Sequence, residues 1–256
     1  MPFFSAASAR HLRQNTLSCE TVISAASIHS PLAGSALARA ETWVFDLDNT
    51  LYPAECNLFA QVDRRMGDFI ASHFGIGYDE AKQRQKSFFH SHGTTLRGLM
   101  VEHGLDPAAF LDYVHDINLD VVQPMPALAT ALDRLPGRKV IFTNGTVAHA
   151  DRILARLGIA GHFSGIFDIV AAGYLPKPQE APYRQLLAEH AINPRSAVMV
   201  EDMARNLKPA AQLGMTTVWV PTAAAWSQPD RTEDAAHIHH TAPDLTAFLT
   251  ALPAAG

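Results

Sequence analysis

The feature that most limits the fold is an alternation of short apolar runs with amphipathic helical patterns, which begins after residue 40. Five runs are predicted strands: Thr42–Leu47, Lys139–Thr143, Ile166–Ala171, Ala197–Val200 and Thr216–Val220. The fourth run is apolar throughout, as in strands that are covered on both faces. Helical patterns separate the runs at Val147–Leu157, Pro182–Glu189 and Leu207–Leu213. This order predicts an α/β fold, a Rossmann-like parallel sheet flanked by helices.

The interval between Asp48 and Lys139 breaks the alternation, because it contains no convincing strand. Four segments in it are predicted helices: Asn57–Phe74, Asp79–His90, Thr95–Glu102 and Pro107–Leu119. Such an interval is too long to be a loop inside a compact domain. We therefore expect a small α-helical cap domain at residues 54–124, and a core formed by residues 41–53 and 125–256.

Composition and charge exclude several functional classes. The 256 residues are 48% hydrophobic and 18% charged, which suffices for a buried core. The net charge of −5 argues against nucleic-acid binding. No apolar run reaches the length of a membrane span, so no membrane association is expected. The two cysteines, Cys19 and Cys56, do not suggest a disulfide framework, which favours a reducing, cytoplasmic location.

Residues 1–40 differ in composition from the rest of the chain. They are rich in Ala and Ser, and Glu20 is their only acidic residue. A transit peptide has this composition, and a start codon placed too early would give a similar one. We favour a disordered tail without a catalytic role.

Two carboxylates follow the first predicted strand, in the run Asp46-Leu47-Asp48-Asn49-Thr50. Residues i and i+2 of a strand share one face, so both acids can point into one pocket where the chain turns. Two anions this close indicate a cation, a shared proton or both. The plain alternative is that the Asp-Asn pair only forms a turn.

Polar residues also follow the later strands. Each motif has an ordinary explanation, since Thr-Asn-Gly is a common turn and Pro-Lys-Pro a common stiff loop. Sites in open parallel sheets form beyond the carboxyl ends of the strands, so the joint occurrence predicts one shared site. Its further members are Thr143, Asn144, Lys177, Glu201, Asp202 and Asn206.

The residue types suit phosphoryl transfer through an aspartyl-phosphate. Asp46 is the expected nucleophile, being the first acid after the strand. Asp48 can protonate the leaving alkoxide and later take a proton from water. A phosphate dianion beside several carboxylates needs positive charge, and Mg²⁺ would supply it. Its expected ligands are Asp46, Asp202 and the backbone carbonyl of Asp48.

The remaining residues are expected to support the phosphate and the metal. Lys177 adds a point charge near both the phosphate and Asp46. The Thr143 hydroxyl and the Asn144 backbone N–H can hold phosphate oxygens at a helix start. Glu201 is an alternative metal ligand or the support of one, and Asn206 would steady Asp202 or a metal-bound water.

These motifs resemble those of the haloacid dehalogenase-like hydrolase superfamily. The resemblance rests on Asp46–Thr50, Thr143-Asn144, Lys177 and Glu201-Asp202, and it spans about residues 41–222. It implies a phosphomonoester hydrolase with a type 1 cap after the first motif. Many relatives carry a second Asp where this chain has Asn206, and the 1–40 segment has no counterpart in the family pattern.

A finer resemblance is to the pyrimidine 5′-nucleotidase subgroup. It is carried by Val44–Pro53, Gly93–Leu99 and Phe142–Gly145. It implies a small-molecule substrate, a nucleoside monophosphate such as UMP or CMP. Arg97 is the cap residue expected to contact this substrate, since guanidinium suits a phosphate or a base carbonyl. A surface salt bridge is the alternative use of Arg97.

Four other functions share parts of this pattern. A dehalogenase would lack the second acid, so Asp48 argues against that reaction. A sugar phosphomutase would share every motif and stays open as an alternative, as does another small-molecule phosphatase. A non-enzymatic phosphate-binding protein would be expected to have lost a chemical residue, and none is missing. The near-contiguous His237, His239 and His240 are expected in a solvated late strand rather than at a metal.

Overall fold

The computed structural model describes residues 36–223, 227–228 and 235–253. Most of the predicted tail lies outside the described residues. Of its last part, Leu37 and Ala40 are buried against the core. No helix within the described ranges is long and apolar enough to cross a bilayer.

In the described part of the chain, six strands form one sheet in which every paired neighbour is parallel. Their order across the sheet is β3-β2-β1-β4-β5-β6. The α/β, Rossmann-like prediction is therefore confirmed. The strands are β1 (Thr42–Phe45), β2 (Arg138–Phe142), β3 (Gly165–Phe167), β4 (Ala197–Glu201), β5 (Thr216–Trp219) and β6 (His240–Thr241).

Strand β1 lies at the centre of the sheet, where the strand order reverses. Val44 is paired with Val140 of β2 on one side and with Met199 of β4 on the other. The chain builds β2 and β3 on one side of β1 and then β4, β5 and β6 on the other. A crevice opens at the carboxyl ends of the strands on either side of such a reversal.

Four helices lie between β1 and β2 and form the helical insert. They are α1 (Leu58–Phe74), α2 (Tyr78–His92), α3 (Thr95–His103) and α4 (Pro107–His115). Among the described residues after the insert, five more helices flank the sheet: α5 (Pro126–Arg134), α6 (Val147–Leu157), α7 (Glu180–Glu189), α8 (Ala204–Gln212) and α9 (Leu245–Thr250).

Local sequence sets the ends of the insert helices. The Thr94 side chain caps α3 by accepting from the Arg97 N–H at 3.2 Å. Gly104, with φ of 61°, ends the same helix in a left-handed conformation that costs glycine little. Asp106 caps α4 just before Pro107, which fits the first turn of a helix.

The sheet is buried on both faces. Trp43 and Phe45 of β1 belong to one apolar cluster, whereas Val44 belongs to a second. Helices α5, α6 and α9 contribute to the first cluster, and α7 and α8 to the second. The alternation follows from the two-residue period of a strand, and it explains why these strands read as continuous apolar runs.

Some predicted bounds were wrong. The third strand ends at Phe167 instead of Ala171, because the Asp168 carboxylate accepts from the Val170 and Ala171 N–H groups and closes a turn. Helix α4 ends at His115 rather than Leu119. Helices α5 and α9 were not predicted, since each has only two or three buried apolar positions to mark it.

Candidate active site

Asp46 follows β1 directly and lies at its carboxyl end. Its N–H donates to the Val200 carbonyl at 2.9 Å and extends the β1–β4 ladder by one residue. Its carboxylate accepts from Lys177 Nζ at 2.7 Å on Oδ1 and from Thr50 Oγ1 at 2.8 Å on Oδ2. Only 6% of the residue is exposed. The carboxylate is therefore held in one orientation at the crevice.

Lys177 is fixed by three hydrogen bonds, one for each ammonium proton. Nζ donates to Asp46 Oδ1 at 2.7 Å, to Glu201 Oε2 at 2.7 Å and to the Phe142 carbonyl at 2.8 Å. Burial alone would lower the pKa of this amine, but the two carboxylates raise it above its ordinary value. Lys177 thus carries a permanent positive charge between β1, β2 and β4.

Three buried acids come together beside this lysine. Oxygens of Asp46, Glu201 and Asp202, hereafter the acidic cluster, all lie within 4.8 Å of one another. Burial and the charge of Glu201 raise the pKa of Asp46 to about 7. The same two causes raise the pKa of Asp202. Because one ammonium cannot neutralise three carboxylates, the cluster favours either a proton or a further cation.

The acidic cluster fits a divalent cation. Asp202 Oδ2 and Asn206 Oδ1 are buried and have no hydrogen-bond partner within the described part of the chain. Buried polar atoms are rarely left unpaired without a reason. An all-oxygen set of carboxylate and amide groups is what a hard cation such as Mg²⁺ or Ca²⁺ binds. Asn206 lies in the first turn of α8, four residues after Asp202, and its amide oxygen is neutral where a second Asp would add charge.

Asp48 lies in a different environment, although it is only two residues from Asp46. Its Oδ1 accepts from the Tyr52 hydroxyl at 2.6 Å and is 3.1 Å from His149 Nε2. Burial would raise the pKa of Asp48, but the positive character of His149 and the bonds from His149 and Tyr52 lower it below its ordinary value. The carboxylate is ionised, so Nε2 of His149 is the donor. We call Asp48, Tyr52 and His149 the Asp48 network.

A histidine of the helical insert packs on this network. The rings of His115 and His149 are stacked with centroids 4.2 Å apart and planes inclined by 16°. Burial and the nearby His149 lower the pKa of His115 to about 3, so this ring is neutral. Arg152 of α6 donates to the carbonyls of His115 and Ile117. The end of α4 is thereby tied to the core next to Asp48.

The Thr-Asn pair follows β2, as predicted. Thr143 Oγ1 accepts from the Gly145 N–H at 2.9 Å, which orders the turn. Asn144 Oδ1 accepts from the Lys177 N–H at 3.0 Å. This side chain therefore joins the loop after β2 to the loop that carries Lys177, a connection that the sequence did not indicate.

The turn between α2 and α3 lies over the loop of Lys177. A Cβ atom placed on Gly93 would be 3.6 Å from Pro176 Cγ. Arg205 of α8 donates to the Gly93 carbonyl at 3.4 Å, and its guanidinium lies 4.4 Å from the centre of the Phe89 ring. The predicted contact residue Arg97 is half-buried on α3, and its side chain has no described contact with the acidic cluster.

Sequence reasoning missed three residues of the site: Tyr52, His115 and His149. Tyr52 lies only four residues after Asp48, so its place in the sequence could have suggested a contact between the two side chains. Nothing in the linear sequence connects His149 or His115 with position 48, because they come from α6 and from the end of α4. The histidines near the carboxyl terminus bind backbone and hydroxyl groups instead: His237 Nε2 is 3.1 Å from the Ala204 carbonyl, and His239 Nδ1 accepts from the Thr217 N–H.

Comparison with known proteins gives one family. The protein family described as haloacid dehalogenase-like hydrolase matches this chain over residues 41–214. The chain is 25% identical over 191 residues to phosphate metabolism protein 8 of Saccharomyces cerevisiae, and 36% identical over 86 residues to enolase-phosphatase E1 of Frankia alni. These matches cover 68% and 32% of this chain, and 60% and 36% of the two relatives. The chain thus spans less than two thirds of either relative.

Solved structures share the fold. L-2-haloacid dehalogenase of Xanthobacter autotrophicus has a TM-score of 0.53 at 16% identity, covering 82% of this chain and 97% of that one. CbbY of Rhodobacter sphaeroides, in complex with phosphate, has a TM-score of 0.54 at 18% identity, covering 79% and 93%. The place of the helical insert, between β1 and β2, matches the type 1 cap of this fold.

Proposed function

Since the chain belongs to the haloacid dehalogenase-like hydrolase family, we propose that it is a Mg²⁺-dependent phosphomonoester hydrolase that forms an aspartyl-phosphate. The observation that carries this proposal is the contrast between two acids two residues apart. Asp46 is bonded to Lys177, whereas Asp48 is bonded to Tyr52 and His149. Acids in such different environments suit different roles, one as nucleophile and one in proton transfer.

Asp46 is the nucleophile. Each of its oxygens accepts one hydrogen bond, which leaves further lone pairs for attack on phosphorus. As the new P–O bond forms, the ester P–O bond breaks and the alcohol leaves. Lys177 keeps the attacking carboxylate oriented and offsets the negative charge of the phosphate.

Asp48 transfers the protons. It gives a proton to the leaving alkoxide, and in the second step it takes one from the water that attacks the aspartyl-phosphate. That attack releases inorganic phosphate and restores the Asp46 carboxylate. Repulsion from a bound phosphate dianion would favour the protonated form of Asp48, against the lowering of its pKa by His149 and Tyr52.

Asp46, Asp202 and the backbone carbonyl of Asp48 would hold Mg²⁺, with Glu201 and Asn206 beside them. The bound ion supplies charge neutralisation between the phosphate and the acidic cluster. Thr143 and the Asn144 N–H are assigned to the phosphate oxygens, close to the start of α6. Residues 54–124 are assigned to the cap, since α1 packs on α2 and α4, and residues 41–53 and 125–256 to the core.

The proposed substrates are pyrimidine nucleoside monophosphates, UMP and CMP. Support comes from the motifs at Val44–Pro53, Gly93–Leu99 and Phe142–Gly145, which resemble that subgroup. Phosphatase chemistry as such is supported by the relative named enolase-phosphatase and by the phosphate bound in the CbbY structure. Arg97 is assigned to the substrate because its helix starts at the turn that covers the Lys177 loop.

A substrate panel tests this proposal. Phosphate release is measured with Mg²⁺ on UMP, CMP, AMP, GMP, glucose phosphates and phosphoglycolate, and chloride release on 2-chloropropionate. We expect the highest kcat/KM for UMP and CMP, and no chloride. Preference for another ester would overturn the substrate class, and an isomerised sugar phosphate seen by ³¹P NMR would identify a mutase. Absence of turnover throughout the panel would favour a phosphate-binding protein.

A further inference from the structure

The Asp48 carboxylate is held through one of its two oxygens. Both described donors, the Tyr52 hydroxyl and His149 Nε2, contact Oδ1, at 2.6 and 3.1 Å. Among the described residues, no side chain donates to Oδ2. Both donors are themselves buried, since Tyr52 and His149 are each 2% exposed. The network therefore distinguishes the two oxygens, which are chemically equivalent in a free carboxylate.

We propose that His149, together with Tyr52, is a positioning residue that directs proton transfer to Oδ2 of Asp48. An oxygen that already accepts two hydrogen bonds is a poor site for a further proton, so the proton resides on the other oxygen. The ring and the hydroxyl also fix the carboxylate plane, and a proton-transfer group must lie within hydrogen-bond reach of its target. This inference rests on the proposed function, because it assigns supports to its acid.

His149 is suited to this role because several contacts fix its own position. The backbone N–H of His149 donates to Thr146 Oγ1 at 3.2 Å, and Thr146 is the residue that caps α6. Its ring is stacked on that of His115, 4.2 Å away, at the end of α4. Thr146 Oγ1 also lies 3.4 Å from His115 Nδ1. Because His115 comes from the helical insert, the alignment of Asp48 depends on how the insert lies against the core.

A merely structural histidine would satisfy the same hydrogen bonds, so the test must separate positioning from folding. Two substrates whose leaving groups differ in their need for a proton allow this separation. A UMP alkoxide must be protonated as it departs, whereas p-nitrophenolate leaves without protonation. If His149 acts through Asp48, its loss slows kcat/KM for UMP but hardly affects kcat/KM for p-nitrophenyl phosphate. A general loss of packing would slow both substrates by the same factor.

The experiment compares His149→Ala and His149→Gln with the wild type. We expect His149→Ala to lower kcat/KM for UMP about 10²-fold, within the usual range for acid–base catalysis, and for p-nitrophenyl phosphate only about two-fold. Gln carries an N–H donor and should recover part of the UMP rate. The inhibition constant of inorganic phosphate should not change. His162→Asn is the matched control, because His162 also pairs with a carboxylate, that of Asp133, 3.0 Å away.

A second readout uses the later role of Asp48 as a base. With p-nitrophenyl phosphate, His149→Ala should form the aspartyl-phosphate quickly and hydrolyse it slowly, giving a burst of p-nitrophenolate that the wild type lacks. Tyr52→Phe removes only a hydroxyl group, and should show the same substrate discrimination and burst. It keeps the proposal testable if His149→Ala does not fold.

The outcomes separate this inference from the proposed function. Equal losses on both substrates without a burst, in a panel where the wild type is active, would overturn the positioning role and leave the hydrolase in place. A wild type that hydrolyses no phosphate ester would overturn both.

Discussion

The acidic cluster and the Asp48 network differ in how they are built, although Asp46 and Asp48 are two residues apart. The acidic cluster comes from residues at the ends of β1 and β4, with Lys177 bonded among them, and it holds more carboxyl groups than one ammonium can neutralise. The Asp48 network joins the turn after β1 to α6, and it is covered by His115 of the insert. In the proposed mechanism, the first region holds the cation and the nucleophile, and the second transfers the protons.

The difference shows what separates two like groups on a short stretch of chain. Burial by itself would raise the pKa of both acids. At Asp46, burial and the neighbouring carboxylate of Glu201 raise the pKa to about 7. At Asp48, His149 and the Tyr52 hydroxyl outweigh burial and lower the pKa. Chemical identity is therefore a poor guide to role, and the partners supplied by the fold decide it.

The largest expected effect is that of Asp46→Asn. This change replaces the nucleophilic carboxylate with a neutral amide, so kcat/KM should fall by about 10³-fold or more while the circular dichroism spectrum is retained. Asp79→Asn, at an exposed position of α2, is the control and should keep full activity. Turnover near wild type by Asp46→Asn would contradict an aspartyl-phosphate mechanism.

Asp48→Asn separates the two regions directly. Loss of the acid should lower kcat/KM for UMP by about 10²- to 10⁴-fold. The rise in Tm on adding Mg²⁺ should persist, because the backbone carbonyl and the acidic cluster are unchanged. Asp202→Asn is the counterpart, and we expect it to lose that rise. If Asp48→Asn lost the Mg²⁺ effect as well, the two regions would form one metal site.

Lys177→Met tests how strongly the acidic cluster depends on its lysine. Removing the ammonium leaves buried carboxylates without their partner, so the free energy of unfolding should fall by about 3–5 kcal/mol. Lys82→Met is the control: its ammonium bonds Asp63 at 2.7 Å, but in partly exposed surroundings, so the loss should be about 1 kcal/mol or less. Urea titrations measure both. If both variants lost the same free energy of unfolding, burial would not be the reason that the acidic cluster depends on its lysine.

The pH dependence of metal binding is the smallest expected effect. Asp46 has a pKa of about 7, against 3.8 ordinarily, so below pH 7 an incoming ion must displace a proton. The apparent Mg²⁺ affinity should then fall about tenfold per pH unit below 7. Without metal, ionising Asp46 costs stability, so its contribution to the free energy of unfolding declines as pH rises from 3.8 to about 7.

Calorimetry at several pH values checks that slope. Scans of Tm with and without Mg²⁺ should show a larger rise above pH 7 than below it. An affinity that stayed constant over this range would indicate that Asp46 is ionised before the ion binds.

The parallel sheet, the helical insert and the acids at the strand ends could all be predicted from the amino-acid sequence. Strands buried on both faces show continuous apolar runs, so the strands can be recognised in the sequence. Parallel connectivity places the carboxyl ends of the strands on one edge of the sheet, so the residues that follow the strands can be predicted to share a site. The membership of Lys177, Glu201 and Asp202 in one site was predictable for the same reason. The bounds of β3 and the short helices α5 and α9 were not, since side-chain bonds and packing decide them.

The hydrogen-bond partners of each acid, in contrast, follow from the folded structure alone. The hydrogen bond between Asp48 and His149 joins residues 101 positions apart, and the stacking of His149 on His115 joins residues 34 positions apart. Contacts between residues so distant along the chain leave no periodicity in a sequence. The same holds for Asn144, which bonds the Lys177 backbone from 33 positions away. Such contacts arise from packing in three dimensions, and they set the charge and orientation on which the proposed chemistry depends.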